Sequence, residues 1–196
     1  MAVTIGLCLV IGSLVLIAIC LLRKNESFFN LRKVTSEHFG LFKQSRGHIV
    51  VIYGLPALFA IGLSLIYQAG TTFYNELSVI LGILLSMLLA ILSILSGYDY
   101  STIEDVNQKK KGTAVIKQTI NSIVFVSLII IGLLLYGLVG IVISGSSLPL
   151  FVYSLKPVAS GLAYYIFFVI LLNLLIIVKQ MSKIVEFNLE VKRGCK

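Results

Sequence analysis

The sequence alternates between long apolar runs and shorter segments that carry nearly all of its charge. Five runs of 18 to 24 residues contain no Asp, Glu, Lys, Arg or His, at about residues 2–22, 49–67, 77–96, 120–143 and 161–178. A helix that crosses a bilayer needs about 20 apolar residues, because each adds about 1.5 Å toward a hydrocarbon core of about 30 Å. The runs are continuously apolar, which favours helices over the alternating strands of a barrel. The pattern predicts an all-α integral membrane protein, a five-span helical bundle that forms a single polytopic domain over residues 1–196.

The position of the charges predicts the orientation of the bundle. Fifteen of the 16 Lys and Arg residues lie in three segments, 23–48, 97–119 and 179–196, whereas the opposite side carries only Lys156 and Glu76 as charged residues. Positive charge marks the cytoplasmic side, so the N-terminus is expected outside and the C-terminus inside. We therefore expect a multi-pass protein of the cell inner (plasma) membrane.

The composition agrees with a membrane protein and excludes some classes of function. Hydrophobic residues make up 58% of the chain and charged residues 12%, whereas soluble domains are about one quarter charged. That excludes a soluble globular domain. The net charge of +8 follows from the topology, so direct nucleic-acid binding is not expected.

The first run has two possible interpretations, an uncleaved anchor or a signal peptide. No basic residue precedes it, and its 21 residues exceed a signal-peptide core of about 7 to 15. The anchor is favoured.

The segment from Asn25 to Arg46 predicts an amphipathic helix. On a helical wheel its apolar side chains fall on one face and its basic and polar ones on the other. One interpretation is an interfacial helix on anionic inner-leaflet lipids, and the other is a docking face for a cytoplasmic protein. The lipid interpretation is favoured. The lipid- or partner-binding face comprises Phe28, Leu31, Val34, Phe39 and Phe42.

The second cytoplasmic segment predicts a separate short amphipathic helix. Ser101 and Glu104 have the spacing of a capping box, which satisfies free N–H groups at a helix start. We expect this helix to end near the lysines at 109–111, with Gly112 as its C-cap.

An outer segment stands apart from the spans. The apolar run 148–155 is too short to cross a membrane. It is expected to dip into the outer leaflet or to cap the bundle, and it is a candidate contact for something external.

Two features within the spans are candidates for specific contacts. Asn173 lies inside the fifth run, where an unpaired amide is costly, so we expect it to bond a neighbouring helix; the alternative is a pore-lining ring in an oligomer. The third run carries a stripe of small residues that permits close approach of another helix, from this chain or from a second copy. The stripe consists of Gly82, Ser86, Ala90, Ser93 and Gly97.

The sequence offers no catalytic, cofactor-binding or metal-binding residues. No ionisable residue lies within a run, although intramembrane enzymes and coupled transporters usually need one. His38 and His48 are ten residues apart and lack the spacing of a metal site. We therefore expect a protein that is not an enzyme and that needs no cofactor.

The layout of a small multi-span chain, with basic cytoplasmic segments and almost no external mass, resembles the membrane subunit of a Kiwa-like bacterial antiphage defence system. The resemblance implies a soluble DNA-binding partner. That family has four spans where five are predicted here, and no motif residues carry over.

Three functions follow from these features, in order of preference. The first is a non-catalytic sensor or scaffold that forms homo-oligomers in the membrane and recruits a cytoplasmic effector protein. The second is an oligomeric pore or channel lined by Asn173. The third is a small-solute transporter, although the two halves of the chain show no internal repeat.

Overall fold

A computed structural model describes residues 50–97, 106–145 and 150–194, together with Gly12, Thr35, Ser36 and His38. Thr35, Ser36 and His38 have helical backbone, and a π-helical turn, Val50–Gly54, leads directly into the first long element. The α-helices of the three described ranges are α1 (Leu55–Ile66), α2 (Thr71–Ser96), α3 (Val106–Gly145) and α4 (Leu150–Gly194).

Three of these helices are long and apolar enough to cross a membrane. The qualifying stretches are Thr71–Ser96, Gly112–Val142 and Lys156–Leu189, of 26, 31 and 34 residues, and they correspond to the third, fourth and fifth apolar runs. The second run forms a shorter apolar helix, Val50–Ile66, which is about 25 Å long. Of the first run only Gly12 is described. The described chain is all-helical, as predicted, and suits a membrane protein.

The helices extend well beyond the apolar runs. The prediction of a short helix that ends at Gly112 is wrong, because α3 passes through this glycine without interruption and buries it. Lys and Gln are good helix formers, so the charged segment has no need to end the helix. Ser101 and Glu104 lie outside the described residues. The outer segment is helical from Leu150 and continuous with α4.

The helices pack as a row in which α3 lies between α2 and α4, and α4 lies between α3 and α1. Buried residues recur every seven positions on three of them, which keeps one face turned toward a neighbour, as in left-handed bundles. These repeats are Leu81, Leu88 and Leu95 on α2, Ile116, Ile123 and Ile130 on α3, and Ile170, Ile177 and Ile184 on α4.

Small side chains bring α1 close to α4. Pro56, Ala60 and Ser64 are buried at four-residue spacing on α1, and a Cβ atom added to Gly161 of α4 would lie 3.4 Å from Ser64. Beyond the end of α1, the backbone N–H of Ala69 donates a 2.9 Å hydrogen bond to the Ser160 hydroxyl. Phe59, nearer the start of α1, meets Phe168, further along α4, so the two helices are antiparallel.

A second close contact joins α2 to α3. A Cβ atom on Gly140 would lie 2.8 to 2.9 Å from ring atoms of Tyr74, which is too close for the ring to remain in place. Tyr74 is 3% exposed and meets the ring of Tyr136 edge-on, and the Tyr136 hydroxyl donates to the Ala159 carbonyl of α4. Gly140 thus makes room for a tyrosine that lies among three helices.

Candidate functional site

Polar side chains from three parts of the chain meet inside the bundle, in the half that is predicted to be nearer the cytoplasm. His38 comes from segment 23–48, Tyr53 from the π-helical turn and Asn173 from α4. His38 is completely buried and Asn173 is 1% exposed. Burying such groups costs free energy unless they are hydrogen-bonded. These groups therefore need partners within the cluster.

The orientation of the Asn173 amide defines the direction of the central hydrogen bond. Its Nδ2 donates to the Val169 carbonyl oxygen at 2.8 Å, one turn back along α4. Its Oδ1 is thereby turned toward His38, whose Nε2 lies 3.0 Å away. An amide oxygen only accepts, so Nε2 of His38 must carry the proton and donate it. The neutral imidazole is fixed as the Nε2–H tautomer.

The imidazole ring also has an aromatic neighbour. It stacks on Phe125 of α3, with ring centroids 4.1 Å apart and planes inclined by 16°. The hydroxyl of Tyr53 lies 3.4 Å from His38 Nε2, at the outer limit of a hydrogen bond. One histidine ring thus contacts side chains of three separate helical elements.

Burial determines the charge of His38. Loss of solvation lowers its pKa from 6.5 to about 4, and the hydrogen bond to Asn173 offsets only part of that effect. The ring is therefore neutral at physiological pH, and its hydrogen bond to Asn173 is one between uncharged groups.

All five residues of the predicted lipid- or partner-binding face lie outside the described residues, namely Phe28, Leu31, Val34, Phe39 and Phe42. The described residues between them show opposite environments. Thr35 and Ser36 are exposed, whereas His38 is buried against the bundle. One residue of this segment is thus directed inward, to the helices themselves.

The small-residue stripe on α2 faces away from the described helices. Gly82 is half-buried and the other members, Ser86, Ala90, Ser93 and Gly97, are exposed. A Cβ atom on Gly82 would meet nothing within 4 Å. The face of α2 that packs on α3 is instead its leucine face. No helix among the described residues fills the stripe.

Asn173 bonds outside its own helix, to His38 of segment 23–48. Sequence reasoning did not select His38 as a site residue. The available signal was its spacing, since it lies seven residues after Leu31 and four after Val34, on the apolar face of the predicted helix. A histidine in such a position requires a polar partner.

The cluster consists of a neutral histidine, an asparagine and a tyrosine. These side chains supply hydrogen bonds and an aromatic face. No group of three or more His, Cys, Asp or Glu in the described part of the chain is placed to hold a metal ion. Comparisons with protein-family models, curated proteins and solved structures found no match.

Proposed function

We propose that this chain is a non-catalytic membrane sensor or scaffold subunit. In this proposal it crosses the inner membrane five times, with its N-terminus outside and its C-terminus inside. It forms homo-oligomers and recruits a cytoplasmic effector protein through segment 23–48. The antiphage role and the DNA-binding partner implied by the layout resemblance belong to the same proposal.

The observation that carries the proposal is the contact of His38 with Asn173. A segment predicted to be cytoplasmic inserts a fully buried side chain among helices predicted to span the membrane. A displacement of His38 should therefore shift α3, α4 and the start of α1. Conversely, a shift of those helices should displace His38 and its segment. Such a connection is what a sensor needs to link the membrane to a bound partner.

The exposure of neighbouring residues supports recruitment. Thr35 and Ser36 are exposed while His38 is buried. His38 therefore packs into the bundle, while Thr35 and Ser36 are open to the surroundings. A partner has access to the outward side without disturbing the His38 contact.

The outward-facing stripe on α2 supports self-association. Gly82, Ser86 and Ala90 leave room for close approach of a second helix, and small residues of this kind are typical of helix interfaces in membranes. By contrast, Asn173 is buried within one chain. It is not available to line an axis between copies, so we do not propose a pore.

Site-specific photocrosslinking tests recruitment directly. A photoreactive amino acid at Ser36 is compared with the same group at Leu138, an exposed apolar residue of α3. We expect one discrete protein adduct from Ser36 in the cells that encode the chain, and none from Leu138. Identical products at both positions, or no adduct from Ser36, would contradict recruitment by this segment.

A further inference from the structure

We draw no further inference here: the strongest candidate, the exposed apolar face that Leu171, Leu175, Val178, Val185 and Leu189 form along the C-terminal half of α4, carries nothing because no contact among the described residues shows whether lipid, a second copy or another part of the chain covers it.

Discussion

The side chains of His38 and Asn173 are separated by 135 positions in the chain and meet at 3.0 Å inside the bundle. The amide can accept this bond because its own N–H group is directed to Val169. The bond joins segment 23–48 to α4, the longest described helix.

Replacement of Asn173 by Leu should destabilise the protein. The change removes the acceptor and leaves a buried N–H donor of His38 without its partner, at a cost of about 1 to 3 kcal/mol. Unfolding in mixed micelles measures the loss. Asn75→Leu is the matched control because Asn75 is exposed, and it should change stability by no more than about 0.5 kcal/mol. Equal effects of the two substitutions would argue against the His38 bond.

Gly140→Ala should destabilise the bundle through overpacking. The new Cβ would lie 2.8 to 2.9 Å from the Tyr74 ring, and overpacking of this kind costs about 1 to 3 kcal/mol. Gly132→Ala on the same helix is the control, since a Cβ there meets nothing within 4 Å. It should be neutral or slightly stabilising because alanine favours helix. Thermal unfolding midpoints in detergent distinguish the two, and a Gly140→Ala protein as stable as the control would contradict the packing.

Acid should weaken the fold through His38. The pKa of His38 is 6.5 in the unfolded chain and about 4 in the folded chain. Well above pH 6.5 the residue is neutral in both states. As the pH falls from 6.5 to 4, the unfolded chain binds a proton that the folded chain does not bind. Stability contributed by neutral His38 is therefore present above pH 6.5 and lost between pH 6.5 and 4, by up to about 3 kcal/mol. The His38→Phe variant should lack this component, whereas His48→Gln should retain it. The comparison uses unfolding free energies at several pH values, and an identical pH dependence in parent and His38→Phe proteins would disprove it.

Self-association should depend on the stripe on α2. Ser86→Leu places a bulky side chain on an exposed small-residue face, and we expect dimerisation to weaken about tenfold, the factor that 1.4 kcal/mol represents. Energy transfer between donor-labelled and acceptor-labelled copies in liposomes measures it. Gly132→Leu, at an open exposed position of α3, should leave association unchanged. If both substitutions act alike, the stripe has no special role.

Hydropathy was enough to predict the three long membrane-type helices, because a bilayer demands continuous apolar length. It did not predict where the helices end. The charge of Glu76 made the predicted third span begin at Leu77, whereas α2 begins six residues earlier, at Thr71. Hydropathy reports which residues prefer lipid to water. A helix, however, can continue from the membrane into polar residues that have high helix propensity.

The sequence predicted one of the two central residues of the site. Asn173 stood out because an amide in an apolar run needs a partner, but nothing local identifies a partner 135 positions away. His38 was hidden because it belongs to a segment with many other polar residues. The outward direction of the α2 stripe was equally beyond prediction, since the leucine and small-residue faces are both compatible with packing.

A double-mutant cycle between His38 and Asn173 tests the central claim most directly. His38→Phe keeps a ring against Phe125 and removes the N–H donor, and Asn173→Leu removes the acceptor. The free energy of unfolding is measured in lipid nanodiscs for the parent, both single variants and the double variant. A coupling of about 1 to 2 kcal/mol is predicted, because each single change removes the bond between the two groups. Additive effects within about 0.5 kcal/mol would contradict the claim that this bond joins segment 23–48 to the bundle.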